Sequence, residues 1–348
     1  MSDLRSLLEQ NPVEASAPCR IDMGGTLDLS TFYLPLRHLR PCTFNVALNL
    51  RTRVRLSAHT RGKIKIGSRG FEDLEVDSAR APFDHPMGLM MAVAAYFQAD
   101  GVHIEIDSAS PPRSALGGSS VAAVALIWAF SKIMARAGHP LPELQRVALL
   151  AHAIEQSVAG VPCGIQDQLA AVYGGVNSWY WLGEPGLDLF ERRQVVPHQA
   201  CDAFGQHLLV AYCGVPHVSK DINGTWVRDF LAGRHREQWH RICHLSRQFT
   251  EAVAGGRYDQ AQACMNQETD LRLDMTPDVL DDLGHPLVAA ARREQCGARF
   301  TGAGGGGCVW ALGAPNRIGA LRSVWRQILA QRRHATLLDA SVDASGVL

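Results

Sequence analysis

The sequence carries no excess charge of either sign: 34 Lys and Arg balance 34 Asp and Glu over 348 residues. With a pI near 7.2, the chain projects no global field toward polyanions, so neither nucleic acid nor a membrane is expected as a partner. Lysine is scarce, with only Lys63, Lys65, Lys132 and Lys220 among the 34 cations. We read the arginine excess as codon bias. Cysteines are nine, an odd number, and no two stand at two-residue spacing. A disulfide framework and a structural zinc site are therefore not expected. No long apolar run occurs either. The longest, residues 121–130, is about half of the ~20 residues a membrane span needs, and residues 1–17 hold no apolar signal core. These absences lead us to expect a soluble protein of a reducing compartment, the cytoplasm.

What is present is ordinary for a folded chain: 47% hydrophobic and 20% charged residues. At ~100–200 residues per domain, two domains or one large one fit the length. Residues 1–16 read as a loose N-terminal arm. Short β-branched or alternating runs at 19–23, 43–59, 62–67, 71–76 and 102–107 read as strands. Apolar-periodic helices follow over 87–98, 118–137 and 142–157, with a shorter one ending at 173. Strand patterns return at 176–182 and 207–212, and from 219 to about 283 the pattern turns helical. Another helix runs to 295, strands at 298–300 and 308–312 flank a glycine-rich loop, and a last helix covers 317–331. Strands first and helices later argue for α+β architecture. The weak boundary near 180–200 divides an N-terminal domain, 17–195, from a C-terminal one, 196–348.

Three segments carry candidate chemistry. Residues 111–120, Pro-Pro-Arg-Ser-Ala-Leu-Gly-Gly-Ser-Ser, follow a strand and open a long helix. Glycines let backbone amides converge there, and the helix N-terminus adds partial positive charge, which together suit an anion. A tight loop with a serine cap is the other reading. No Gly-Lys-Ser/Thr ending exists, which excludes a Walker-type loop. Residues 301–307, Thr-Gly-Ala-Gly-Gly-Gly-Gly, contain the glycine spacing of a dinucleotide fingerprint. A strand pattern follows instead of the helix that fingerprint must open. Backbone packed closely against a ligand or against the first loop explains it better, and a glycine-rich hairpin is the plainer alternative. Residues 154–168 place Glu155 and Asp167 on either side of a glycine–proline turn. The turn can bring both toward one cavity, although Asp167 taken alone reads more readily as a helix cap.

In this order the three segments resemble the motifs of the GHMP kinases, which include galactokinase, homoserine kinase, mevalonate kinase and phosphomevalonate kinase. Residues 111–120 look like the family's phosphate loop, and residues 297–312 like its third motif in the galactokinase form. Ala-Pro-Cys-Arg-Ile at 17–21 looks like the start of the first motif. The resemblance implies a two-domain α+β fold, with an N-terminal domain like ribosomal S5 domain 2 and a ferredoxin-like C-terminal domain. It also implies ATP and Mg2+ as cofactors, with the nucleotide phosphates held by Ser114, Ala115, Leu116, Gly117, Gly118, Ser119 and Ser120. Ser120 and Glu155 match the magnesium ligands, both oxygen donors as that ion prefers. Asp167 matches the galactokinase aspartate that accepts the sugar hydroxyl's proton, and Arg20 the arginine beside it. Asp28, Gly304 and Gly305 complete the implied substrate site.

Departures from the galactokinase pattern leave the acceptor open. Residues 24–28, Gly-Gly-Thr-Leu-Asp, look more like the glycine-rich first motif of the family's heptose-phosphate kinases. Residues 210–219 also resemble their segment more than the galactokinase one. The expected activity is transfer of phosphate from ATP to the anomeric hydroxyl of a small sugar or sugar phosphate, by a monomer or homodimer. Arg37, His38 and Arg40 would be the second cationic site that a phosphorylated acceptor requires, or else a solvated charged loop. A catalytically silent sugar- and ATP-binding regulator, or a kinase of a non-sugar alcohol, are the alternatives.

Overall fold

The computed structural model of the chain describes residues 4–183, 189–215 and 222–348, and in them the strands form two sheets. The first holds β1 (Val13–Met23), β2 (Cys42–Ala58), β3 (Lys63–Ser68), β4 (Leu74–Asp77), β5 (Val102–Ser108), β6 (Val176–Trp181) and β7 (Phe190–Val196). Its order is β4-β3-β5-β2-β6-β7, with β1 paired along β2, and only β3–β5 is parallel. The second holds β8 (Leu208–Tyr212), β9 (Gly297–Phe300), β10 (Cys308–Leu312) and β11 (Thr336–Leu337) in the antiparallel order β11-β8-β10-β9. Six helices accompany the first sheet: α1 (Leu4–Gln10), α2 (Ser30–Leu36), α3 (Gly88–Tyr96), α4 (Gly118–Arg136), α5 (Leu144–Val158) and α6 (Gln166–Tyr173). The rest fall after it: α7 (Cys201–Gly205), α8 (Ile222–Leu231), α9 (Arg236–Ala254), α10 (Tyr258–Met275), α11 (Gly284–Arg293) and α12 (Pro315–Leu329). This is the α+β arrangement the sequence leads one to expect.

The long strand β2 shows how the pattern becomes structure. From Thr52 its residues alternate: Val54 and Leu56 are buried while Arg53 and Arg55 face out, as a sheet with one solvated face requires. Its first half is buried on both faces, and α9 packs against the strand. Helix α4 lies across β1 and β2. Twelve of its nineteen residues are buried, and the alanines among them let the helix sit close. Long and apolar enough by composition to cross a membrane, it is a core helix here.

Three elements depart from expectation for identifiable reasons. Residues 4–16 are not a loose arm: α1 packs on β2 and α4, and β1 starts at Val13 with Val13 and Ala15 buried. Pro18 hides this continuity, since proline reads as a strand break; the register shift between Pro18 and Cys19 accommodates it. Helix α2 has Pro35 inside it, a residue that signals helix termination. The strand β7 is polar through Glu191, Arg192, Arg193 and Gln194 because it is an edge. The expected helical start at 219 lies outside the described residues, as do residues 216–219 of the segment 210–219.

From β11 the chain returns to the first sheet as a strap. Asp343 N donates to Ala47 O and Leu348 exchanges backbone hydrogen bonds with Ser16. Arg51 clamps it, giving Nη1 to Asp343 Oδ2 at 2.6 Å and Nη2 to Gly346 O at 2.8 Å. Charge-assisted hydrogen bonds contribute ~1.5–3 kcal/mol each, so Arg51→Ala should lower stability by about 2–4 kcal/mol. The exposed neighbour Arg53, replaced the same way, should change it by less than ~0.5 kcal/mol. Urea unfolding of both variants checks this; equal losses would refute the clamp.

Candidate active site

The loop before α4 is bent into an unusual backbone. Arg113, Ala115 and Gly117 all have positive φ, at 53°, 60° and 80°, a conformation glycine adopts freely and other residues resist. The strained Ala115 is held from β1: Arg20 Nη1 donates to its carbonyl at 2.8 Å, and Arg20 N donates to Leu116 O at 3.2 Å. Helix α4 then starts at Gly118 with no side chain capping its N-terminus. Its first amides and positive dipole end therefore stay available to an anion. Ser114 and Leu116 are buried and anchor the loop from beneath.

Next to that helix end, Ser120 Oγ donates to Glu155 Oε2 at 2.7 Å, and Gln168 Nε2 donates to the same oxygen at 2.6 Å. Ser119 Oγ reaches Glu155 Oε1 at 3.4 Å. The turn between α5 and α6 thus brings Glu155 to the phosphate loop, as the sequence suggests. A carboxylate and a hydroxyl oxygen held together beside a phosphate cradle are donors that fit magnesium, which takes its other ligands from phosphate and water. Among the described residues no group of three His, Cys, Asp or Glu forms a cage of its own.

Asp167 lies on the other side of the loop. Arg20 gives both Nε and Nη2 to Asp167 Oδ1, each at 2.7 Å. The second oxygen, Oδ2, faces Gly117, where a Cβ would come within 2.9 Å of it. Glycine at 117 therefore serves the turn and leaves room for the carboxylate. Burial pulls the Arg20 guanidinium down, but Asp167 and Asp22 outweigh it and push it up. Asp28 is buried beside them, accepting from Gln166 N at 3.0 Å. Burial raises its carboxyl to about 6, opposed by that amide and reinforced by the charge of Asp167. Any side chain at residue 164 would collide with this carboxylate.

The glycine-rich loop between β9 and β10 packs on the phosphate loop, one of the two partners the sequence allows. A Cβ at Gly307 would meet Ser114 O at 2.6 Å, and one at Gly302 would lie 3.5 Å from Ala115 O. Gly304 and Gly305 stand on the stretch of this loop that meets Val279. Gly305 N donates to Val279 O, and Gly304 is pressed against the same residue, because the loop turns away there to reach the 277–279 turn. Arg40 lies over Tyr180, pairs with Glu191, and joins Arg193, Arg247 and Arg257 around a cavity of about 590 Å³. That cavity shares no lining residue with the phosphate loop, Asp28 or Asp167, so Arg40 lies away from those carboxylates.

Sequence reasoning missed Asp22, Glu268, Arg272 and Arg299, all completely buried and linked to Arg20. One signal for Asp22 was available: two residues along a strand share a face, so Arg20 and Asp22 point the same way.

The Glu155 carboxyl yields a stability prediction. Burial raises it to about 7, against the hydrogen bond from Ser120. In metal-free protein the folded state then binds a proton that the unfolded state has released, from the ordinary carboxylate range up to about pH 7. Stability falls as pH rises through that window. Glu155→Gln cannot ionise, so it should remove on the order of 1–3 kcal/mol of that fall. Urea unfolding at pH 5 and pH 8 reads it; an unchanged pH slope in the variant would show that Glu155 is not the group.

Comparison with known proteins agrees with this geometry. Residues 85–175, which include the phosphate loop, Glu155 and Asp167, match the GHMP kinases N terminal domain. The mevalonate kinase of Pyrococcus horikoshii is 28% identical over 303 residues, spanning 78% of this chain and 82% of that protein. The Lactococcus lactis galactokinase complexed with galactose superposes with a TM-score of 0.72 at 16% identity, covering 98% of this chain and 95% of that one. A D-glycero-D-manno-heptose 1-phosphate kinase from Bacteroides thetaiotaomicron gives a TM-score of 0.71, also at 16% identity, over 96% and 97%. Residues 85–175 are thus a GHMP kinases N terminal domain, and the chain has the GHMP kinase fold.

Proposed function

We propose that the protein transfers phosphate from ATP to the anomeric hydroxyl of a sugar or sugar phosphate. Two domains would carry the work, 17–195 presenting the phosphate loop and 196–348 closing on it. The triphosphate would lie on the amides of residues 114–120. Ser120 and Glu155 would hold magnesium, which when bound neutralises phosphate charge. Asp167, with Oδ1 gripped by Arg20, offers Oδ2 to the acceptor hydroxyl. The proton passes to that oxygen as the acceptor oxygen bonds to the terminal phosphorus and the bond to ADP breaks. Arg20 adds positive charge beside the moving group.

The observation that carries the sugar reading is the pair of carboxylates, Asp28 and Asp167, close enough that the charge of Asp167 raises Asp28. Carboxylates accept hydrogen bonds from the hydroxyls of a polyol, whereas an acceptor with its own carboxylate is repelled by both. A mevalonate-type alcohol is the second reading, favoured by the curated relatives, which are named mevalonate kinases.

A kinase assay across free hexoses, heptose phosphates and mevalonate, with the product phosphate located by phosphorus NMR, decides between them. A sugar 1-phosphate is expected, and turnover of mevalonate alone would overturn the sugar reading. Asp167→Asn keeps the shape and removes the proton acceptor. General-base steps contribute ~10²–10⁴-fold, so kcat should fall by that factor with KM for ATP nearly unchanged. Activity within a few-fold of the parent would make Asp167 a helix cap.

A further inference from the structure

Behind Arg20 the charges alternate through the interior. Asp167 pairs with Arg20, and Arg20 Nη1 lies 3.4 Å from Asp22 Oδ1. Asp22 Oδ2 accepts from Arg299 Nη1 at 2.9 Å, and Arg299 Nε donates to Glu268 Oε2 at 2.8 Å. Glu268 Oε1 then accepts from Arg272 Nε at 2.8 Å. Three carboxylates and three guanidiniums stand in strict alternation, and Asp22, Glu268, Arg272 and Arg299 are wholly buried.

The ladder crosses from one sheet to the other. Arg20 and Asp22 are on β1, Glu268 and Arg272 on α10, and Arg299 on β9. Both ends are fixed. Arg272 sits between the rings of Trp226 and Trp239, at 4.5 and 4.6 Å, and gives Nη2 to Gly25 O at 2.7 Å. Gly25 belongs to the loop leading to Asp28. Asp22 Oδ1 also accepts from Gly302 N at 2.7 Å, in the loop that packs on the phosphate loop. A buried ionic network of this kind is no more stabilising than a well-packed apolar one, so stability alone does not account for it. What an apolar core cannot supply is direction: each carboxylate here fixes the plane of a guanidinium fork.

We propose that Asp22, Arg299 and Glu268 form a positioning relay through which seating α10 and β9 against β1 sets the orientation of the Arg20–Asp167 pair. The relay rests on the phosphoryl-transfer reading for the role of Asp167. None of its three members touches the acceptor; they act through Arg20.

Two variants test it, and both keep side chains of similar size. Asp22→Asn keeps an acceptor for Gly302 N but loses the charge that holds Arg20. Arg299→Lys keeps the charge but loses the fork that spans Asp22 and Glu268. A misorientation of about 1 Å can cost ~10²-fold, so kcat should fall roughly 10–100-fold in each, with KM for ATP within about 3-fold. Introduced into Asp167→Asn, Asp22→Asn should cost less than about 3-fold more, because no carboxylate is left to position. A purely structural role would cost the same factor in both backgrounds, and that result overturns the relay. A second readout needs no activity: the Arg20 Nε–H signal in proton–nitrogen NMR, assigned with Arg20→Lys. Its exchange with water should quicken at least tenfold in whichever variant folds, and an unchanged signal overturns the relay too. Absence of phosphoryl transfer in the parent protein would instead overturn the proposed function, leaving the Arg20 signal to judge the relay.

Discussion

The structure turns on a place where backbone meets backbone. The phosphate loop is pressed between β1 and the β9–β10 loop, with Gly307 against Ser114 and Ala115 and Gly302 beside Ala115. At that separation a side chain on Gly307 has nowhere to go, and all five glycines of the β9–β10 loop have positive φ. The strain at Ala115 is sustained by what surrounds it: the Arg20 hydrogen bond from one side and the glycine loop from the other. A residue held in a costly conformation persists where its surroundings over-determine it. Here the result is a helix start whose first amides are not taken up by a side-chain cap.

Charge is arranged around that loop with a clear polarity. On the donor side are amides, the dipole of α4, Ser119 and Ser120, all suited to anionic phosphate. On the acceptor side Asp28 and Asp167 share one neighbouring cation, Arg20, while Asp22 behind it is shared between Arg20 and Arg299. Burial raises Asp28 and Glu155 to about 6 and about 7, values at which each changes charge near neutral pH. Glu268 shows the contrast. Burial alone would raise it, but Arg299 and Arg272 overcome that and hold it below the usual carboxylate range. Opposite charge thus wins over burial at Glu268, whereas burial wins at Asp28 and Glu155.

Much of this was legible in the sequence because it is local. Loop 111–120 and the Glu155–Asp167 turn are defined by glycine, proline and helix-end chemistry within a few residues, and the fold places them together as their order suggests. The strand β10 could be read from Cys308 to Leu312 because all five residues are apolar and buried. What escaped was long-range. Glu268 and Arg272 are spaced i, i+4 and look like an exposed helix pair, yet both are fully buried because Arg299, Trp226 and Trp239 surround them. Nothing local distinguishes the two cases. The polar edge β7 and the proline-containing β1 and α2 were obscured for the same reason, since tertiary pairing overrides local preference. Gly304 and Gly305 were assigned to substrate from a motif, whereas the loop's path toward Val279 decides what those glycines meet.

In the proposed reading, donor and acceptor fall on separate pieces of chain, residues 111–120 and residues 24–28. The acceptor in that reading meets residues 24–28, and the structure shows what packs behind them. Gly24 lies against Ser246 and the Cys42 carbonyl, Gly25 against Asp22, and Thr26 donates to Asn223. The loop that carries Asp28 is therefore shaped by α8, α9 and α10 as much as by its own sequence. The ladder from Glu268 to Arg20 makes the same point for Asp167: through Arg20, its carboxylate is tied to Asp22, Arg299 and Glu268, all buried in the interior.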